Sequence, residues 1–171
     1  MSNGGSRFLY VTYIRTTRAK LWQALTTPEF QKHYWFGMHQ ETEWTAGAPW
    51  KLVFSDGRVA DEGQVLEIEP MKRLVLKWRN RFRPELTAEG YTRCTMDIAE
   101  EDGGTVKLTI THETDVANAK IIEAVSGGWP KVLSSLKSLL ETGKGLSVKM
   151  EPPPEMMAAV QKAVAERPWL K

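Results

Sequence analysis

Cysteine is almost missing from this chain. Cys94 stands alone among 171 residues, which excludes an intrachain disulfide framework and a cysteine-based zinc site. One thiol fits a reducing, cytoplasmic compartment. Charge of one sign is not in excess either. Twenty-three Lys and Arg face 21 Asp and Glu, for a net charge of +2, so no broad field draws the chain to nucleic acid. No apolar run approaches the roughly 20 residues that span a bilayer, and the first residues carry no basic, apolar, small-residue leader pattern. Neither a membrane span nor a nucleic-acid partner is expected.

Catalytic signatures are equally sparse. The glycine pairs at 103–104 and 127–128 lack the strand–loop–helix setting of a phosphate loop, and no cofactor is expected. Ser134 and Lys137 match a serine-nucleophile spacing in letters only, late in a helical stretch. No nucleophile, base and orienting acid stand out as a set. The reading leans away from an enzyme without closing the question.

What is present is tryptophan. Seven occur, at 22, 35, 44, 50, 78, 129 and 169, each with a large apolar area and one N–H that wants a partner when buried. They are spread over a regular pattern of elements. Residues 7–14 read as a strand apolar on both faces, as for burial on both sides or an edge packed under a helix. Leu21, Trp22 and Leu25 form a short helical stripe capped by Thr16 or Thr17. A second short helix begins at Pro28 after Thr27, carries Phe30, Tyr34 and Trp35, and stops near Gly37.

An antiparallel meander follows. Trp50, Leu52 and Phe54 share one face, and Ser55-Asp56-Gly57 makes a turn. Residues 59–69 form the next strand, closed by Pro70. Leu74, Leu76 and Trp78 lie on one side of the strand at 73–80, with Arg73, Val75, Lys77 and Arg79 on the wet side. Thr92, Cys94, Met96 and Ile98 alternate inward, as do Val106, Leu108, Ile110 and His112. A long helix runs from near Asn118 to near Gly143. Its stripe includes Ile122, Val125, Trp129, Val132, Leu133 and Leu136, and a kink or break is expected at Pro130.

One long helix against a curved meander tends to enclose a hollow. The residues placed in it are Trp50, Phe54, Trp78, Cys94, Met96, Leu108, Ile110, Val125, Trp129 and Leu133, with a solid core as the alternative. His112 shares their face and is the one candidate for orienting a ligand or acting as an acid–base group; the alternative is a hydrogen-bonded structural histidine. His39, Glu41 and Glu43 alternate, a spacing able to bind a divalent ion but commoner on a solvated strand, and no metal is assigned. Lys77, Arg79, Arg81 and Arg83 cluster near a turn, where an acidic group or an ordinary solvated face would account for them.

Four segments in this order, 21–35, 56–78, 103–113 and 127–143, resemble the SRPBCC superfamily, also called START-like or birch-pollen-allergen-like. More narrowly, they resemble the family named for the C-terminal domain of the activator of heat-shock-protein-90 ATPase. The resemblance implies an α+β helix-grip fold: a curved antiparallel sheet wrapped around a long C-terminal helix, with two short helices near the start and a cavity between them. It implies binding of a small apolar or amphipathic molecule. A cyclase, aromatase or hydratase, or a protein-interaction module, are the alternatives. The family name is not taken as a sign of chaperone activation. The resemblance spans 7–143, leaving a flexible start at 1–6 and an extension at 144–171. In the extension, 155–167 reads as an amphipathic helix, for a lid, a homodimer clasp or a docking helix, with a tail packed on its own domain or partly disordered as the alternative.

Overall fold

A computed structural model describes residues 4–147; the expected helix at 155–167 and Trp169 lie outside the described residues. β1 (Ser6–Arg15) is followed by α1 (Arg18–Thr26) and α2 (Pro28–Tyr34). The meander comprises β2 (His39–Glu41), β3 (Pro49–Val53), β4 (Val59–Glu69) and β5 (Arg73–Asn80). Then come α3 (Pro84–Thr87), β6 (Thr92–Glu101), β7 (Thr105–Thr114) and α4 (Lys120–Thr142). The sheet has seven strands in the order β1-β7-β6-β5-β4-β3-β2, every neighbouring pair antiparallel. The α+β helix-grip expectation holds. Among the described residues no helix is long and apolar enough to cross a membrane.

The short helices form for local reasons. The Thr17 hydroxyl accepts from the Lys20 N–H to cap α1, and Pro28 opens α2, where a missing N–H is harmless. A buried amide network ties both to the sheet. The Gln31 side chain donates to the Leu25 carbonyl (2.8 Å) and accepts from the Gln40 N–H (2.6 Å), while the Gln40 amide oxygen accepts from the Trp50 indole (2.8 Å). Gln31 and Gln40 are fully buried, and this bonding is what makes that burial tolerable.

α4 lies across β1 and β7 and touches α2. It runs unbroken through Pro130, so the expected break is absent. Its N-cap, Ala119, has no side-chain acceptor; the Glu89 carboxylate serves instead, taking the N–H groups of Lys120 and Ile121 at 2.8 Å each. Gly143, at φ 87°, ends the helix in the left-handed conformation. The Gly145 backbone then packs so closely on the His33 carbonyl that a Cβ would not fit.

One reading holds in its second alternative, an edge strand packed under a helix, and two need correction. β1 is an edge strand with a bare outer face: Leu9 and Tyr13 are about half exposed, while Phe8, Tyr10 and Ile14 turn inward. The C-terminal end of the open edge is occupied by α4, whose Lys137 bonds the Tyr13 carbonyl and whose Glu141 takes the Arg15 N–H. Val75, expected on the wet face, is buried. It sits opposite Glu67 and Thr95, beside the Glu67–Arg73–Asp97 ion pairs. Phe54 falls outside β3, one residue past its end, in the turn where its N–H bonds the Arg58 carbonyl; the register shift beside it leaves Ala60 of β4 as an extra residue.

Candidate functional site

Strand register decides what the concave face presents. Trp50 pairs with Gly63, and Gly63 pairs with Trp78. A Cβ on Gly63 would run into the Lys77 carbonyl, so the position is confined to glycine. With no side chain between them, the indoles of β3 and β5 meet at 4.5 Å between ring centroids. Trp78 also lies 5.8 Å from Trp129 of α4 and 6.4 Å from Trp35, which follows α2. Trp35 and Trp129 are 5.5 Å apart. Four indoles from sheet and helices thus meet at one end of the concave face.

His112 sits beside them, fully buried and 5.4 Å from Trp78. Its tautomer follows from its neighbours. The Trp129 indole can only donate, and its Nε1–H reaches His112 Nδ1 at 3.2 Å. Nδ1 is therefore the acceptor and Nε2 carries the hydrogen, donated to Thr92 Oγ1 at 2.7 Å. The Thr92 hydroxyl passes its own hydrogen to the Trp78 carbonyl at 3.1 Å. Every polar atom in this chain is used. Burial pulls the imidazole down to about 4, so it is neutral across the physiological range. A saturated, neutral ring has neither a free proton nor a free lone pair for acid–base work.

The remaining expected residues divide by element. Cys94, Met96, Leu108 and Ile110 line the concave face of β6 and β7 in direct register, Cys94 opposite His112 and Met96 opposite Ile110. Leu133 and Trp129 face them from α4, and Val125 is half buried at the same seam. Burial pushes the Cys94 thiol far up, leaving it inert. Phe54, half buried, packs at the margin of the same core, edge-on to Phe82 at 5.4 Å with the Arg58 guanidinium over its ring.

Two polar residues escape a reading of the sequence. Asp61 is 8% exposed and opposite Asn80, also 8% exposed. Asn80 Oδ1 accepts the N–H groups of Phe82 (3.0 Å) and Arg83 (2.7 Å). Burial raises the Asp61 carboxyl to about 7, opposed by the neighbouring Trp78 indole and Asn80 amide. The only signal in the sequence was parity: Asp61 is two residues from Gly63 on an inward-facing run.

The surface candidates are mostly neutralised. Arg81 pairs with Glu62 (3.2 Å) and Arg83 with Glu85 (2.7 Å). Arg79 donates to the Thr87 carbonyl. Lys77 lies over the Tyr91 ring at 4.4 Å, beside a shallow depression of about 200 Å³ also lined by Pro49, Gly63 and Gln64. His39 meets Glu41 at 3.0 Å. Among the described residues no three metal-ligating side chains come together.

An open antiparallel sheet gripping a C-terminal helix, with its aromatic side chains turned into the concavity, defines a START-like domain. Within that class the chain belongs to the family of Activator of Hsp90 ATPase homolog 1-like proteins, whose model matches residues 15–141. No curated protein sequence matches it. Protein MLL2253 of Mesorhizobium loti is similar in structure, at TM-score 0.67 and 21% identity over 80% of this chain and 97% of that one. The Aha1 dimer of Colwellia psychrerythraea follows at 0.65 and 20%, covering 82% and 99%. PFC0360w, an HSP90 activator of Plasmodium falciparum, gives 0.64 and 20%, covering 78% and 95%. At these identities the likeness is one of fold.

Proposed function

We propose that this chain is a cytoplasmic binding module for a small, flat, apolar or amphipathic molecule, seated against the indoles on the concave face between sheet and α4. The observation that carries the reading is the convergence of Trp35, Trp50, Trp78 and Trp129 at one end of that face, with Asp61 and Asn80 as polar groups at its margin. Apolar walls with a few fixed polar groups are the usual make-up of a small-molecule site. Trp35 and Trp129 belong to helical segments rather than to the sheet, so entry requires one of these rings to turn aside. An acid–base enzyme built on His112 has no support in the geometry, because both ring nitrogens are committed.

A second reading has one observation in its favour. The indoles already pack on one another, as in a filled core, and function would then lie on the exterior. The bare face of β1, with Leu9 and Tyr13, suits a partner surface or a homodimer. The two readings part in a fluorescence titration with the neutral apolar probe N-phenyl-1-naphthylamine. The binding-module reading predicts saturable enhancement and an affinity that changes about tenfold in Trp129→Leu or Trp78→Leu, the scale of one lost aromatic contact. No saturable signal, or the same affinity in both variants, moves the function to the exterior.

A further inference from the structure

We propose that Asp61 anchors an organic ammonium group, so that the molecule taken up on the concave face is a flat apolar amine; this rests on the binding-module reading above. Asp61 is the one carboxylate buried among the described residues. None of their Lys, Arg or His side chains forms an ion pair with it, and the nearby arginines are engaged elsewhere: Arg58 with Asp56, Arg81 with Glu62, Arg83 with Glu85. A carboxylate offers about four acceptor positions. The Trp78 indole and the Asn80 amide are its polar neighbours, and Asn80 is held in place because two backbone N–H groups bond its oxygen. Acceptor capacity is left over, and a buried carboxylate without a cation is costly.

The surroundings favour a cation over other partners. Asp61 lies against Trp78, whose ring is packed with that of Trp50, and indole faces attract ammonium groups. On the other side of Trp78, His112 holds no charge. Leu52 and Asn80 flank Asp61 on the neighbouring strands. Two residues beyond each, Phe54 and Phe82 meet edge to face and are half buried. That pair forms an aromatic rim for a flat body whose amino group reaches Asp61. A fatty acid or any other carboxylate would set like charge against Asp61 in a desolvated place and is disfavoured.

Calorimetric titration at pH 8 compares three probes of one shape: naphthalen-2-ylmethylamine, naphthalen-2-ylmethanol and 2-naphthoate. The full chain should bind the amine roughly tenfold or more tighter than the alcohol, as a charge-assisted hydrogen bond allows, with naphthoate weakest. Asp61→Asn should bring amine and alcohol within about twofold of each other, and Asp61→Ser serves the same end if the asparagine variant does not fold. Equal binding of amine and alcohol by the unaltered chain overturns the amine assignment and leaves the binding module standing. A preference for the amine that survives in Asp61→Asn also overturns it. Binding of none of the three removes the binding-module reading and this one with it.

Discussion

Trp78 separates two buried titratable groups that the fold treats in opposite ways. On the β7 side, His112 gives one nitrogen to Thr92 and the other to Trp129. On the β4 side, Asp61 lies near the Trp78 indole and the Asn80 amide, is buried, and has acceptor capacity to spare. Burial drives both toward the neutral form, lowering the imidazole to about 4 and raising the carboxyl to about 7. The difference between them is satisfaction. A closed hydrogen-bond chain makes a titratable residue part of the scaffold, whereas an open one leaves chemistry available near neutral pH. The histidine is the more conspicuous residue in the sequence, but the aspartate is the one with something left to do.

The contrast can be broken most severely at its scaffold side. Trp129→Ala removes an indole from the aromatic cluster and the donor from His112, and should lower unfolding stability by about 3–5 kcal/mol in urea titrations. A loss below about 1 kcal/mol would mean that the rings are not close-packed.

The next largest effect is in pH dependence. Asp61 holds its proton more tightly in the fold than the ordinary value of 3.8. Its contribution to stability is therefore present below about pH 4 and is lost as pH rises to about 7, for a total of roughly 4 kcal/mol. His112 holds its proton less tightly than the ordinary 6.5, so its contribution is present above about pH 6.5 and is lost as pH falls to about 4, roughly 3 kcal/mol. Between pH 4 and 6.5 the two offset each other. In Asp61→Asn the offset disappears: stability should climb from pH 4 to 6.5 and exceed that of the unaltered chain at pH 8. Parallel stability curves for the two proteins would contradict the account.

A smaller effect distinguishes hydrogen bonding from packing around His112. Leucine there leaves the Trp129 N–H buried without an acceptor and should cost about 1–3 kcal/mol. Glutamine offers an oxygen to Trp129 and an amide to Thr92, and should recover part of that loss. Equal losses in both variants would remove the network as a source of stability. Smallest of all, Arg83→Ala breaks an ion pair near the surface with Glu85 and should change stability by less than about 1 kcal/mol.

Much of this molecule was legible in the residues themselves. The strands at 59–69 and 73–80 appear with the expected bounds, because Pro70 ends the first and the spacing of Leu74, Leu76 and Trp78 marks the second. The inward register of Trp78, Cys94, Met96, Ile110 and His112 holds, since one slip would have exposed them all. The misses share a cause: they depend on contacts between segments distant in the chain. The register shift beside Leu52 and Val53 leaves Ala60 of β4 without a partner in β3, and β3 ends before Phe54; no local residue announces it. Glu89 caps a helix that begins about thirty residues later. Asp61 stands next to Glu62 in a strand rich in acids, a pattern that reads as a wet face until the register with Asn80 and Trp78 is known. The meeting of Trp50 with Trp78 across Gly63 likewise needs three strands in place.

The most direct test of the contrast between Asp61 and His112 is a nuclear magnetic resonance titration that follows the Asp61 side-chain carboxyl carbon and the His112 ring nitrogens from pH 3.5 to pH 9. The account predicts an Asp61 inflection near 7, with His112 in the Nε2–H tautomer and unprotonated down to about pH 4. An Asp61 inflection at an ordinary carboxylate value of about 4, or a His112 inflection near 6.5, would contradict it.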